Sequence, residues 1–212
     1  GSEGASAPIA WKHGETIVAL AVSPDGKRVL SGSSDGLVGI WNVERSVAPL
    51  LLKGHESVVT AVGWSPDGRK IASGSSDCTA RVWNADGSGV PVTFKEHKRV
   101  VTAVAFSPDG QRVASGSIDM TVQIWNADGS GTPVVLKGHL GEVTVVAFDP
   151  SGRQIASASK DKSIRIWNAD GTGTPVVLSG HQDTVSALAF GADGERIVSG
   201  SADKTVRVWT VG

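Results

Sequence analysis

The stretch Val101-Thr102-Ala103-Val104-Ala105-Phe106, followed by Ser107-Pro108-Asp109-Gly110 and then Arg112-Val113-Ala114-Ser115-Gly116-Ser117, decides the fold. The first six residues are rich in β-branched and aromatic types, as a half-buried strand requires. Pro108 presets φ for a turn and Gly110 accepts positive φ, so a hairpin closes onto the second strand. A further turn centres on Asp119, and Thr121-Val122-Gln123-Ile124-Trp125 alternates between two faces as a third strand. The glycine-rich connection Asn126-Ala127-Asp128-Gly129-Ser130-Gly131 leads to Pro133-Val134-Val135-Leu136. A proline donates no ladder hydrogen bond, so this fourth strand belongs at a sheet edge. No segment has helical periodicity, and the unit reads as four short antiparallel strands.

The unit repeats. Trp41, Trp83, Trp125, Trp167 and Trp209 recur every 42 residues without insertion or deletion, as do His13, His55, His97, His139 and His181. Asp35, Asp77, Asp119, Asp161 and Asp203 keep the same interval. A fixed period of this length is the signature of a stacked-repeat architecture. Five units fill the chain and leave no room for a separate catalytic domain.

Gly138-His139, Ser151-Gly152, Ser157-Ala158-Ser159, Asp161 and Ile166-Trp167 together resemble the WD40 repeat, with its Gly-His and Trp-Asp signatures. The resemblance covers nearly the whole chain. It departs from the pattern where Trp-Asp becomes Trp-Asn in four units and Trp209-Thr210 in the last, and where Gly-His becomes Lys12-His13 and Glu96-His97. It implies an all-β propeller of five four-stranded antiparallel blades, of bacterial type. Pro8-Ile9-Ala10-Trp11 aligns with the outer strand at Leu50 to Lys53, while the chain stops after the third strand at Trp209. In the family such an offset implies a clasp, in which the N-terminal strand completes the last blade. Residues 1–6, opening on Gly1-Ser2, read as an expression scar and disordered tail, and 7–212 as the blade array.

Each unit also offers a serine, a histidine and an aspartate, the ingredients of a hydrolytic triad. Repetition argues against catalysis, because a nucleophile needs one strained, exposed position beside an oxyanion hole. A buried indole N–H needs an acceptor, a serine hydroxyl can accept it and donate to imidazole, and the second imidazole nitrogen can donate to a carboxylate. The resemblance implies such a Trp-Ser-His-Asp chain as a staple inside each blade. It falls on Trp41, Ser31, His13 and Asp35; Trp83, Ser73, His55 and Asp77; Trp125, Ser115, His97 and Asp119; Trp167, Ser157, His139 and Asp161; and Trp209, Ser199, His181 and Asp203. No catalytic residue, metal or cofactor is expected. The Asp-Gly pairs lack the alternating acidic spacing of a calcium loop. Cys78, the only cysteine, reads as an exposed turn residue, and Trp64, aligned with Phe106, Phe148 and Phe190, as packing between blades.

A formal charge of -1 with no long Lys/Arg run argues against a nucleic-acid or anionic-membrane footprint. No apolar run approaches a membrane span and no signal-peptide pattern opens the chain, so a cytoplasmic location is expected. The partner class is then a protein or peptide. In the WD40 pattern three positions per unit face the channel entrance, here Thr16, Val18 and Ser34; Val58, Thr60 and Ser76; Val100, Thr102 and Ile118; Glu142, Thr144 and Lys160; and Thr184, Ser186 and Ala202. Val58, Val100 and Ile118 are expected to form a small apolar patch flanked by Glu142 and Lys160.

Two function classes follow. One is a non-catalytic binding scaffold, cut from a larger bacterial regulatory protein. The other is an engineered or truncated array without a ligand, whose main behaviour is self-assembly. Five blades in a ring must each turn about 72°, against about 51° for seven, although propellers span roughly 4 to 8 blades. Crowding of the inner strands opposes the tighter ring, and an open arc exposes apolar faces and a strand edge. A homodimer is therefore expected, through the incomplete ring or an exchanged N-terminal strand. One enlarged ring and two packed partial rings both satisfy that requirement.

Overall fold

In the computed structural model, residues 10–44 and 47–211 are described. They form nineteen strands and no helix. The first sheet holds β1 (Ile17–Val22), β2 (Arg28–Ser33), β3 (Val38–Asn42) and β4 (Leu50–Leu52). The second holds β5 (Val59–Trp64), β6 (Lys70–Ser75), β7 (Ala80–Asn84) and β8 (Val92–Phe94). The third holds β9 (Val101–Phe106), β10 (Arg112–Ser117), β11 (Thr121–Asn126) and β12 (Val134–Lys137). The fourth holds β13 (Val143–Phe148), β14 (Gln154–Ser159), β15 (Ser163–Asn168) and β16 (Val176–Ser179), and the fifth β17 (Val185–Phe190), β18 (Arg196–Ser201) and β19 (Val206–Thr210). Within each sheet the strands lie side by side in chain order and pair antiparallel.

Local chemistry produces the hairpins. In the third sheet the Gly110 amide donates to the Ser107 carbonyl at 2.9 Å. Ser107 Oγ donates to Asp109 at 2.5 Å, and Gly110 takes φ 69°, a conformation that costs a glycine little. Asp119 closes the next turn, where Met120 adopts φ 67°. Cys78 holds the equivalent position at φ 67° and is half-buried, less open than the exposed turn residue expected from the sequence.

The core lies between sheets. Val59, Val101, Val143 and Val185, each at the start of a first strand, are 0% exposed. Val59, Val101 and Val143 enter notches left by Gly32, Gly74 and Gly116 on the preceding sheet, where a Cβ would come within 2.7, 2.6 and 2.6 Å of the valine. The smallest residue is thus required by close approach of the next blade. Trp64 packs against the cluster of Leu30, Val59 and Ile71, with the Arg28 guanidinium 4.5 Å from its ring.

The five-bladed propeller implied by the resemblance, with the N-terminal strand completing the last blade, is not what forms. The last sheet has three strands, and β19 is its outer edge. Ala10 and Trp11 belong to no strand; Trp11 instead leans on Trp41 of the first sheet, with ring centroids 5.8 Å apart, and Pro8 and Ile9 lie outside the described residues. Consecutive sheets pack on one another, but the first and fifth do not pack face to face among the described residues. The physical reason lies in the junctions. Each of the first three junctions is fixed by a valine seated in the preceding blade's glycine notch, while Trp11 packs on the first blade and so does not reach β19. The result is an open array of four four-stranded blades and one three-stranded blade.

Candidate functional site

Strand pairing carries the four residue types of each unit toward one another. Ser115 on β10 lies opposite Gln123 on β11, which brings the Trp125 indole over the serine, while His97 enters from the loop before β9. The Trp125 indole N–H donates to Ser115 Oγ at 2.9 Å. Ser115 Oγ lies 2.8 Å from His97 Nε2, and His97 Nδ1 lies 2.9 Å from Asp119 Oδ2. With the proton on Nδ1, histidine donates to the carboxylate and accepts from serine, and no member is left unpaired.

The second, fourth and fifth units bring together Trp83, Ser73, His55 and Asp77; Trp167, Ser157, His139 and Asp161; and Trp209, Ser199, His181 and Asp203. Their indole-to-serine distances are each 2.8 Å. Their histidine-to-serine distances are 2.7, 2.8 and 2.8 Å. Histidine and aspartate lie 2.9, 2.7 and 2.8 Å apart. The first unit differs. Trp41 donates to Ser31 at 2.7 Å, but His13 lies 3.7 Å from Asp35 and neither ring nitrogen has a hydrogen-bond partner.

Electrostatics follow burial and bonding. Desolvation lowers the pKa of His55, His97 and His139 below the ordinary 6.5, outweighing the neighbouring carboxylate. Burial alone would raise the Asp77 and Asp161 carboxyls. Hydrogen bonds from the hydroxyl two residues on, from a backbone amide and from the histidine outweigh it, and hold both at about 2. The chain is thus a neutral imidazole against a carboxylate, with its serine hydroxyl 0% exposed in the second, third and fourth units. A serine so enclosed meets no substrate.

Sequence reasoning missed the hydroxyl that braces each carboxylate. Thr79, Thr121, Ser163 and Thr205 donate to Asp77, Asp119, Asp161 and Asp203 at 2.7, 2.6, 2.6 and 2.6 Å. The available signal was a hydroxyl residue two positions after aspartate in four units, with Leu37 in the first. It also missed Arg81, Arg165 and Arg207, whose guanidinium carbons lie 5.8, 5.8 and 5.9 Å from the rings of Trp83, Trp167 and Trp209.

The entrance positions form pairs. The Ser76 amide donates to the Val58 carbonyl at 2.9 Å, Ile118 to Val100 at 3.0 Å, and Lys160 to Glu142 at 2.9 Å. Val58, Val100, Ile118 and Glu142 are half-buried and Lys160 is exposed. Lys160 Nζ lies 2.7 Å from Glu142 Oε2, a surface pair of the kind worth at most about 1 kcal/mol. Thr60, Thr102 and Thr144, read as facing the entrance, spend their hydroxyls between blades, donating to the carbonyls of Val101, Val143 and Val185. They are blade-to-blade ties, and the only rim residues left for a partner in those units are their neighbours.

Shallow depressions lie elsewhere, beside the outer strands. One is lined by Phe94, Trp125 and Pro133, and equivalents recur at Leu136, Trp167 and Pro175 and at Leu52, Trp83 and Pro91. Their repetition marks them as products of blade geometry. Among the described residues no cluster of three or more His, Cys, Asp or Glu side chains could hold a metal ion, and no helix is long and apolar enough to cross a membrane.

Five matches to the WD domain, G-beta repeat, cover residues 10–42, 48–84, 90–126, 132–168 and 174–210. The chain belongs to the WD40-repeat family. It is also similar to human WD repeat-containing protein 86, with 39% identity over 57 residues, a stretch covering 27% of this chain and 15% of that protein. The chain therefore spans about 15% of the length of this curated relative. In this WD40-repeat chain the repeated serine, histidine and aspartate sets of the second to fourth units are enclosed, and they serve as hydrogen-bond staples.

Proposed function

We propose that this WD40 array is a binding scaffold that takes a protein or peptide segment across the strand-start edge of its second to fourth blades. Val58, Val100 and Ile118 supply apolar contact, and the Glu142–Lys160 pair orients a polar group beside them. The hydrogen-bond chains act as staples that keep this edge rigid, and the array works as a segment of a larger regulatory protein in the cytoplasm. The observation that carries the reading is the set of amide-to-carbonyl bonds joining Ser76 to Val58, Ile118 to Val100 and Lys160 to Glu142, which supports a row of paired side chains along successive blades. Rigid frames that present loop residues in this way are suited to recognition. A peptide array probed with wild type and with the Val100→Asp, Ile118→Asp variant tests it. On the order of tenfold weaker binding by the variant, about 1.4 kcal/mol, is expected at unchanged circular dichroism. Equal binding overturns the reading.

A second behaviour is favoured by a specific observation. Leu20 and Val22 on the first blade are 67% and 64% exposed, and Val206 and Val208 on the last are 74% and 65% exposed. Apolar surface of this kind supports self-association into a homodimer, in which exchange of the N-terminal strand would cover the β19 edge.

A further inference from the structure

The two ends of the array are not two copies of one surface. Ile17 occupies in the first unit the position of Val59, Val101, Val143 and Val185; those four are 0% exposed and Ile17 is 39% exposed. Gly200 occupies in the fifth unit the position of Gly32, Gly74 and Gly116. Each of those three receives a valine from the next blade, whereas the nearest neighbour to a Cβ at Gly200 is Ala187 of its own sheet, at 3.5 Å. The fourth unit carries Ala158 there, buried in the cluster with Val185, so the notch tolerates one methyl. One end of the chain presents an unfilled notch and the other an unseated knob.

Polar groups repeat the asymmetry. Arg28 and Arg112 reach across to the next blade and donate to the Gly68 and Gly152 carbonyls at 2.8 and 2.6 Å. Arg196, in the same position of the last unit, has no next blade and turns back to Asp193 at 2.7 Å. The matching acceptor position on the first blade is Gly26, around whose Cβ direction nothing lies within 4 Å. Ser186 likewise stands where Thr102 and Thr144 donate to the following blade, and no described hydrogen bond uses its hydroxyl.

We propose that the last blade of one copy docks on the first blade of a second copy, head to tail, and continues the blade stack between chains. Ile17 of the second copy enters the Gly200 notch, Arg196 leaves Asp193 for the Gly26 carbonyl, and Ser186 donates to the Ile17 carbonyl. The proposal rests on the self-association read above and adds its polarity. Like ends do not fit, because two first blades bring knob against knob and two last blades bring notch against notch. The occupant is a second copy because the 42-residue period carries the register of the fifth unit onto the first, and the junction repeats one already built four times within the chain.

Complementation tests this. Light scattering coupled to size exclusion is run on wild type, on Ile17→Arg, on Gly200→Trp and on an equimolar mixture of the two variants. Both sites are open in the single chain, so each variant is expected to keep its far-ultraviolet and tryptophan signals. Wild type is expected at a mass of at least twice 21.8 kDa, and each variant alone at 21.8 kDa. The mixture is expected to form a species of twice that mass, because the intact notch of the first variant meets the intact knob of the second. A monomeric wild type overturns self-association altogether. Assembly retained by either variant alone, or a mixture that stays monomeric, overturns the head-to-tail polarity while leaving self-association standing. If either variant loses its folded signals, Leu20→Arg and Val206→Arg, at more exposed positions of the same two ends, repeat the test with the same outcomes.

Discussion

In the third blade His97 sits 2.9 Å from Asp119 and 2.8 Å from Ser115, whereas in the first His13 lies 3.7 Å from Asp35 and touches no partner, although its side chain is 2% exposed. The same four residue types stand at the same spacing in both. The surrounding positions differ. Thr121 braces Asp119 through its hydroxyl and the Lys98 amide donates to the same carboxylate at 2.9 Å, while the first blade offers Leu37 and no such amide bond. Gly39 replaces Gln123, which lies 3.4 Å from His97, and Trp11 leans on Trp41. Four named residues therefore do not close the chain by themselves. In the complete blade the carboxylate is held by the Thr121 hydroxyl and the Lys98 amide together, and the first blade has neither counterpart.

The largest expected effect comes from removing the serine at the centre. Ser115→Ala takes away the acceptor of the Trp125 indole and the partner of His97 Nε2, leaving two buried polar groups unpaired at about 1–3 kcal/mol each. Ser31→Ala strands only the Trp41 indole, since His13 does not use that serine, so its cost should be roughly half. Urea unfolding followed by tryptophan fluorescence measures both. Equal losses would mean that the first chain is as complete as the third.

Much of this was legible in the residues. The 42-residue period gave strands, turns and the positions of tryptophan, serine, histidine and aspartate, because each is dictated by local turn chemistry and a fixed spacing. The place of the N-terminal segment, expected as the outer strand of the last blade, was not legible. It depends on where Trp11 settles, which Trp41 decides by offering an indole ring at 5.8 Å. The bracing hydroxyls were visible at Thr79, Thr121, Ser163 and Thr205 but had no meaning until the aspartate was seen to need a third donor. The entrance threonines misled because Thr60, Thr102 and Thr144 look polar and free in sequence, whereas the next blade supplies a carbonyl to each.

Acid should weaken the complete chains in two stages. The folded-state pKa values of His55, His97 and His139 lie below the ordinary 6.5, so as pH falls below 6.5 the unfolded chain takes up protons that the folded chain resists. Asp77 and Asp161, held at about 2 against an ordinary 3.8, contribute stability that is full above 3.8 and is lost as pH falls toward 2. Both stages have the same sign: stability is greatest at neutral to alkaline pH and declines on acidification. Urea midpoints measured from pH 8 to pH 2.5 should fall in two steps, and Asp77→Asn should shrink the lower step while lowering the neutral-pH midpoint. A flat profile between pH 7 and 5 would mean the imidazoles are not held neutral by burial.

The smallest effect, and the sharpest test of the comparison, is a gain. Leu37→Thr places a hydroxyl two residues after Asp35, where Thr79, Thr121 and Thr205 carry one in their own blades. If the brace is what the first blade lacks, the carboxylate should turn toward His13 and shorten the 3.7 Å separation to a hydrogen bond. A typical net hydrogen bond contributes about 0.5–1.5 kcal/mol, and satisfying the buried His13 nitrogen adds to the same sign. Leu37 lies in the turn before β3, half-buried and outside the buried cluster of the first two blades, so its replacement takes little from the core. The reverse change, Thr79→Leu, should cost a similar amount by freeing Asp77. Stabilisation by Leu37→Thr should disappear in an Asp35→Asn background, where the hydroxyl has no carboxylate to hold, and a double-mutant cycle in urea reads that coupling directly. An undiminished gain in that background would assign the effect to the turn and not to the hydrogen-bond chain.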